Sequence, residues 1–241
     1  MFVRLFNGLI DTFYPKRCLS CKSKIHKLAV DNFICAECWA KIKKNRPPFC
    51  HSCGRQLEKK GFAKNICSGC IRKMLHFDRA FSPCTYTGII KELIHDFKYN
   101  QKDYLGLPLS KLMIEFIKEY SLPMDKIDFI IPMPLHKTRL REREFNQAEI
   151  LSRHIGNEFK VDVLATCLER SRYTKTQTEL SPHERFLNVE NCFSVNGNRN
   201  LKRKNILLVD DVLTTAATSS EASRALKNAG SGIVFVLTLA N

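Results

Sequence analysis

The stretch I-L-L-V-D-D-V-L-T-T-A-A-T, residues 206–218, decides the fold of this chain. Its first four residues predict a buried strand, two adjacent acids follow, and a turn of hydroxyl-bearing and small residues leads into a helix. Ligands of open α/β sheets bind at the carboxyl ends of strands. Free N–H groups at the helix start suit a phosphate, whereas the acids suit ribose hydroxyls or Mg²⁺. We therefore predict a pocket for a ribose 5-phosphate, the alternative being a solvated helix entry.

Outward from this stretch, short apolar segments alternate with amphipathic ones. We predict strands at residues 81–86, 127–131, 161–164, 206–209 and 233–239. The segments between them carry apolar residues at helical spacing. This alternation is typical of a mainly parallel sheet with helices on both faces, so we expect an α/β fold over residues 77–241.

Eight of the eleven cysteines form four C-x-x-C pairs in the N-terminal part of the chain. Two residues between cysteines let a tight turn aim both sulfurs at one ion, and two such pairs complete a tetrahedral sulfur site, which suits zinc. Eight thiolates therefore predict two closed, structural Zn²⁺ sites rather than disulfides or buried thiols. The predicted metal ligands are Cys18, Cys21, Cys35, Cys38, Cys50, Cys53, Cys67 and Cys70.

Residues 15–76 are predicted to form a small cysteine-rich domain around these sites. Joining pairs that are neighbours in sequence closes the shortest loops and is the expected arrangement, while an interleaved one stays open. A segment of this size buries little apolar surface, so the metals supply folding energy. Before it, residues 1–14 carry apolar residues at helical spacing and predict an amphipathic helix that packs on the body, with a membrane-surface helix as the alternative.

The chain is strongly basic, with a net charge of +15 from 39 Lys and Arg against 24 Asp and Glu. A basic protein of otherwise ordinary globular composition favours polyanionic partners. No apolar run reaches the roughly 18 residues of a spanning helix and no export signal is recognisable, so we expect a cytoplasmic protein without a membrane span. P-loop, dinucleotide-binding and H-E-x-x-H motifs do not occur in the sequence, which excludes those classes.

Three stretches resemble known families. V-D-D-V-L-T-T-A-A-T, residues 209–218, resembles the signature of type I phosphoribosyltransferases. I-I-P-M-P-L-H-K-T-R-L-R-E-R-E-F-N-Q-A-E (130–149) and E-R-S-R-Y-T-K-T-Q-T-E-L-S-P-H-E-R-F-L-N-V (169–189) are similar to the ComF family of competence and DNA-utilisation proteins. The arrangement of cysteine pairs is similar to that family as well. The resemblance implies a type I phosphoribosyltransferase-like fold preceded by a double zinc ribbon.

The same resemblance implies roles for the matching positions in a site for 5-phosphoribosyl 1-pyrophosphate (PRPP). Asp210 and Asp211 are expected to be the catalytic pair that binds the ribose hydroxyls and Mg²⁺. The expected 5-phosphate loop consists of Thr214, Thr215, Ala216, Ala217 and Thr218. The expected pyrophosphate loop carries His136, Lys137, Arg139, Arg141 and Arg143, and the expected mobile loop carries Arg170, Arg172, Lys175 and Gln177. The alternatives are a solvated basic face for the former loop and a stacking platform for single-stranded bases for the latter.

Two positions depart from the family pattern. Ala216 and Glu144 stand where the family usually has glycine. Glycine permits a positive φ or a close approach of the backbone to phosphate, so these replacements are expected to weaken phosphate binding.

The resemblance implies an accessory protein of DNA uptake and utilisation. Such a protein binds PRPP or a nucleotide with Mg²⁺ and handles single-stranded DNA. One alternative is an active phosphoribosyltransferase with an unknown acceptor. The other is a non-catalytic, zinc-dependent adaptor for an uptake helicase or a channel protein.

Overall fold

In the computed structural model, the described residues are 16–25, 30–31, 33–58, 65–71, 73–173, 181–197 and 200–241. The helix predicted at residues 1–14 and the predicted loop residues Lys175 and Gln177 lie outside them. The described helices are α1 Ala36–Ala40, α2 Gly88–Tyr99, α3 Gly106–Glu119, α4 Lys137–Arg143, α5 Gln147–Phe159, α6 Pro182–Val189 and α7 Ala217–Asn228. The described strands are β1 Arg79–Phe81, β2 Phe129–Pro132, β3 Asp162–Val163, β4 Leu168–Arg170, β5 Phe193–Val195, β6 Ile206–Val212 and β7 Val234–Ala240. Within these ranges, no helix is both long enough and apolar enough to cross a membrane.

Five strands form one parallel sheet in the order β1-β7-β6-β2-β3. The acid-ended strand β6 therefore lies in the middle, paired with β7 on one side and β2 on the other. Its last residues stand beside the ends of both neighbours, with Asp210 opposite Thr238 and Val209 opposite Pro132. The predicted α/β fold is confirmed, and this central position brings several loops to the carboxyl end of β6.

Apolar residues cover both faces of the sheet, as expected for a parallel sheet. Along β6, Leu207 and Val209 belong to one core layer, and Ile206 and Leu208 belong to the other. The first layer is filled mainly by α2, α3 and α5. The second is filled by α7 and by the antiparallel pair β4–β5. Helices thus lie on both faces, as predicted.

The strand predicted at residues 81–86 is misplaced. The edge strand β1 is Arg79–Phe81, and further along only Cys84 pairs, in single bridges to Lys44 and Ala240. Pro83 has no N–H to donate, so regular pairing ends before it. The chain returns to the sheet through the Cys84 N–H, which donates to the Leu239 carbonyl (3.2 Å).

The cysteine-rich segment packs against this edge of the sheet. Asn45 is buried there, and its Nδ2 donates to the carbonyls of Ser82 and Cys84 (both 3.0 Å). The Ala80 N–H of β1 donates to the Ser52 carbonyl (2.8 Å). Backbone of the edge strand therefore pairs with backbone between the cysteines, while the domain boundary near residue 76 stays a prediction.

Candidate functional site

The eight paired cysteines form two clusters of four. In each, the four Sγ atoms lie within 4.8 Å of one another, and the pairing follows the sequence order. The first cluster is Cys18, Cys21, Cys35 and Cys38, and the second cluster is Cys50, Cys53, Cys67 and Cys70. Four thiolates without an open position fit a closed structural zinc site. The cysteines group in the predicted sequential order, and the two clusters are consistent with two zinc ions.

The two clusters share the same hydrogen bonds to sulfur. The Cys35 N–H donates to Cys18 Sγ (3.4 Å), and the equivalent Cys67 N–H donates to Cys50 Sγ (3.3 Å). Such bonds stabilise thiolates and orient them as ligands. The three other cysteines, Cys84, Cys167 and Cys192, are buried, as expected for core thiols.

The acidic pair lies at the carboxyl end of β6 and faces a lysine from α2. Lys98 Nζ lies 2.7 Å from Asp211 Oδ1, and the two side chains are 18% and 12% exposed. Burial opposes the charge on Lys98, but the Asp211 carboxylate outweighs it, so the pKa of Lys98 is raised. Asp210 Oδ1 accepts from the Asp211 N–H (2.8 Å). Lys98 therefore balances the charge of Asp211 through a largely buried ion pair. Asp210, in contrast, accepts a hydrogen bond from the backbone of its neighbour.

Asp210 is a strongly perturbed carboxyl. Burial and the neighbouring Asp211 charge together raise the pKa of Asp210 to about 7, although Lys98 opposes them. The Arg170 guanidinium at the end of β4 also lowers the pKa of Asp210. A buried carboxyl of raised pKa at a strand end is typical of a binding or catalytic site.

The threonine turn that follows β6 holds an unsatisfied hydroxyl. Thr215 Oγ1 is buried and has no hydrogen-bond partner among the described residues. A buried polar atom of this kind is costly unless a ligand or water completes it. From outside the turn, Lys73 Nζ donates to the Thr215 carbonyl (3.0 Å), and the His76 N–H donates to Ser220 Oγ (3.1 Å). The segment just after the second cluster therefore holds the turn and the start of α7.

Both replaced glycines lie in the left-handed region. Ala216 has φ 69°, and Glu144 has φ 66° at the end of α4. This conformation costs an L-residue roughly 1–2 kcal/mol. Both residues therefore adopt the positive φ that glycine would permit, whereas the expected weakening of phosphate binding stays a prediction.

The basic segment after β2 divides into exposed and buried positions. Lys137 and Arg141 are exposed, whereas Arg143 is buried and Arg139 half-buried. His136 caps α4, since its Nδ1 accepts from the Thr138 N–H (3.2 Å). Arg139 and Arg143 therefore lie on the less exposed side of α4, where they line a pocket together with Lys98, the partner of Asp211.

The predicted mobile loop begins in regular structure. Arg170 ends β4, with its guanidinium 5.5 Å from the Phe193 ring. Arg172 Nη2 donates to the Glu190 carbonyl (2.8 Å), and Arg172 Nε donates to Cys192 Sγ (3.2 Å). Arg172 thus contacts the segment after α6, while Arg170 packs against Phe193 of β5.

Sequence reasoning missed two lysines of this site. Lys98 sits on an amphipathic helix and Lys73 in an irregular segment, and neither belongs to a motif that indicates its partner. Their partners are Asp211 and the Thr215 carbonyl, more than a hundred residues away. Only the sheet topology, which brings distant loops to one strand end, reveals them.

Known proteins are similar both to the cysteine-rich segment and to the chain as a whole. The double zinc ribbon domain family matches residues 9–71. Competence protein F of Haemophilus influenzae is 28% identical over 223 residues, covering 90% of this chain and 93% of that protein. DNA utilization protein YhgH of Salmonella typhi is 27% identical over 230 residues, covering 93% of this chain and 96% of that protein.

Among solved structures, adenine phosphoribosyltransferase from Leishmania donovani is similar, with 14% identity and a TM-score of 0.34 over 55% of this chain and 64% of that one. The chain thus combines a double zinc ribbon with a parallel sheet whose central strand ends in the acidic pair and the threonine turn. Along nearly its whole length, the chain is thus similar to proteins of competence and DNA utilization.

Proposed function

We propose that this protein binds PRPP with Mg²⁺ at the carboxyl end of β6 and handles single-stranded DNA as an accessory of DNA uptake or utilization. The observation that carries the proposal is the Thr215 hydroxyl, which is buried without a partner among the described residues, beside the acidic pair. A phosphate in the turn completes that hydroxyl. It also accepts from the free N–H groups at the start of α7.

The remaining groups divide the ligand between them. Asp210 and Asp211 accept hydrogen bonds from ribose hydroxyls, which orients the sugar. The Arg170 cation neutralises the pyrophosphate together with Mg²⁺, because a guanidinium group matches phosphate oxygens well. PRPP carries its 5-phosphate and its pyrophosphate at opposite ends of the ribose, which corresponds to this arrangement.

The acidic pair also fits Mg²⁺. Carboxylate oxygens are the ligands that Mg²⁺ prefers, and Asp210 and Asp211 would hold it together with phosphate oxygens of the ligand. Bound Mg²⁺ neutralises charge on the pyrophosphate. Lys98 already balances the Asp211 charge through its ion pair.

The proposed DNA handling is supported by charge and by the relatives. The net charge of +15 suits contacts to a phosphate backbone, which supply most of the non-specific affinity for DNA. The similar proteins are named for competence and DNA utilization. We expect binding to a single-stranded oligonucleotide that weakens steeply as salt rises. Binding that is absent, or insensitive to salt, contradicts this half of the proposal.

An active phosphoribosyltransferase is the second candidate. It is favoured by the position of Arg170, a largely buried cation close enough to Asp210 to shift its pKa. Cations in this position stabilise charge that develops on a leaving pyrophosphate. Release of pyrophosphate from PRPP in the presence of a nucleobase or amine supports this candidate, and a complete acceptor screen without release contradicts it.

The primary test is calorimetric titration of PRPP with Mg²⁺ into the zinc-loaded protein. We expect saturable binding that is lost in the Asp210→Asn, Asp211→Asn double variant. Asp162→Asn is the matched control, because Asp162 is exposed on the edge strand β3 away from the pocket. No heat of binding in the wild type, or equal affinity in the double variant, overturns the proposed PRPP site.

A further inference from the structure

A small pocket opens beside the acidic pair, between the end of α2, the helix α4 and the residues after β4. Its volume is about 210 Å³. It is lined by Lys98, Tyr99, Arg139, Glu142, Arg143 and Tyr173. Cations and aromatic rings make up most of this lining, and Lys98 connects it to Asp211.

Arg143 is the buried cation of this pocket. It is 9% exposed and donates to Gln147 Oε1 (3.2 Å) and to the Tyr99 hydroxyl (3.4 Å). Neither Arg143 nor Arg139 forms an ion pair with any residue that the structure describes. A buried charge without a counter-ion is costly, so an anion from outside the chain is its natural partner.

Two tyrosines stand at the mouth of the pocket. Tyr99 is 57% exposed and Tyr173 is 51% exposed, which is high for aromatic rings. The Arg143 guanidinium lies 5.0 Å from the Tyr99 ring, and the Arg139 guanidinium lies 5.9 Å from the Tyr173 ring. Each tyrosine is thus about half exposed, and its ring contacts an arginine and a histidine, His95 beside Tyr99 and His136 beside Tyr173. Such rings are suited to stack on an aromatic ligand.

The size of the pocket limits the ligand to one base. Ordinary ligand pockets hold about 300–1,000 Å³, which exceeds this space. Bases of a duplex are stacked and paired, so they do not present a free face to a tyrosine. The lining thus combines an anion site with a stacking site, which is the chemistry of one unpaired nucleotide.

We infer that this pocket takes one nucleotide of a single-stranded DNA chain, which rests on the proposed handling of such DNA. The base stacks on Tyr99 and Tyr173, and its phosphate binds Arg139 and Arg143. Since Lys98 belongs to both sites, the nucleotide is placed next to the proposed PRPP pocket.

The test measures fluorescence anisotropy of a labelled oligo(dT) of about 12 nucleotides with the zinc-loaded protein. In the Tyr99→Leu, Tyr173→Leu double variant we expect affinity to fall about tenfold or more, since stacking contributes strongly for each base. Tyr99→Phe with Tyr173→Phe keeps the rings and is expected to bind as the wild type does. Tyr104→Leu is the matched control, an exposed tyrosine that packs on Phe33 outside the pocket.

The salt dependence separates the two kinds of contact. The leucine variant is expected to keep the slope of log affinity against log salt, whereas Arg139→Gln lowers that slope by about 1. Excess dTMP is expected to compete in the wild type, and a duplex of equal length to compete poorly. Equal affinity of the leucine variant and the wild type for oligo(dT) overturns the inference but leaves the proposed DNA handling intact. A wild type that binds neither oligo(dT) nor dTMP overturns both, while PRPP binding is judged by its own titration.

Discussion

The two cysteine clusters have the same internal hydrogen bonds to sulfur, yet they contact different parts of the body. The first cluster belongs to the core layer of α2, α3 and α5, and the second cluster belongs to the layer of α7 and β4–β5. The two clusters therefore differ in the helices and strands that each of them supports.

The first ribbon is tied to helices by exposed polar contacts. Ser20 Oγ donates to a carboxylate oxygen of Glu92 (3.0 Å), and Lys111 Nζ lies 2.6 Å from Asp31 Oδ1. These contacts lie on α2 and α3 and involve none of the acidic-pair or threonine-turn residues. Exposed ion pairs of this kind contribute little stability, typically below about 1 kcal/mol.

The second ribbon is tied to the end of the sheet and to the threonine turn. Asn241 Nδ2 donates to the Cys53 carbonyl (3.1 Å), and Lys73 holds the Thr215 carbonyl. Two metal sites with the same ligands can therefore differ in how much they contribute to function. We infer that the second zinc supports the proposed PRPP pocket and that the first zinc supports only folding.

Removing one thiolate from each cluster is expected to have the largest effect. Cys67→Ser and Cys35→Ser are matched, because these cysteines are equivalent in their clusters and both are half-buried. Each variant is expected to lose one of the two zinc ions, measured by plasma mass spectrometry. PRPP affinity is expected to fall at least about tenfold in Cys67→Ser alone. Equal losses of PRPP affinity in the two variants contradict the inferred difference between the two zinc sites.

The next effect concerns the turn inside each cluster. Gly54 has φ 69°, and a Cβ there would lie 2.4 Å from the Ala80 carbonyl oxygen. Gly54→Ala is therefore expected to lower the free energy of unfolding by about 2–5 kcal/mol. Lys22 takes the same conformation in the first cluster, with φ 62°, so Lys22→Gly is expected to stay within about 1 kcal/mol of the wild type. Denaturant unfolding of the zinc-loaded proteins measures the free energy of unfolding of both variants. A loss below about 1 kcal/mol in Gly54→Ala contradicts the close approach of the Gly54 backbone to the Ala80 carbonyl.

Lys73→Met tests the link between ribbon and turn with a smaller expected effect. It removes the hydrogen bond to the Thr215 carbonyl, so PRPP affinity is expected to fall about threefold to tenfold. Lys111→Met is the control, since it breaks the ion pair of the first ribbon with Asp31. Calorimetric titration of PRPP with Mg²⁺ into each variant measures the change in affinity. A loss of affinity in Lys111→Met as large as in Lys73→Met speaks against the special position of the second ribbon.

The smallest expected effect is a gain. Ala216→Gly relieves the left-handed strain at φ 69° and is expected to stabilise the protein by about 1 kcal/mol. It is also expected to strengthen phosphate binding. Ala217→Gly, one residue into α7, is expected to cost about 0.5–1 kcal/mol. Thermal unfolding distinguishes them, and a destabilised Ala216→Gly refutes the account of strain in this turn.

Local pattern was sufficient for much of this molecule. The C-x-x-C spacing fixes the zinc ligands, because two residues between cysteines leave little choice of geometry. The strand β6 is also predictable from sequence, because its apolar residues, its two acids and the turn after them are contiguous. The position of β1 was misjudged because Pro83 interrupts pairing at a place where the apolar pattern continues. The strands β4 and β5, three residues each, were too short to give a period.

The rest of the candidate site depends on contacts between distant segments. Lys98 reaches Asp211, and Lys73 reaches the Thr215 carbonyl, only because the parallel sheet brings their loops to one edge. The isolated hydroxyl of Thr215 is likewise a property of packing. No sequence period encodes such pairings, so they follow only from the folded chain.

The central claim is that the turn around Thr215 is built for a ligand, and Thr215→Val tests it most directly. Valine has nearly the same shape but lacks the buried hydroxyl that has no partner among the described residues. We predict that Thr215→Val raises the melting temperature of the ligand-free, zinc-loaded protein, because a costly polar atom is removed. The same variant is predicted to weaken PRPP binding about tenfold in calorimetric titration with Mg²⁺. A variant that is less stable, or that binds PRPP as the wild type does, contradicts the account.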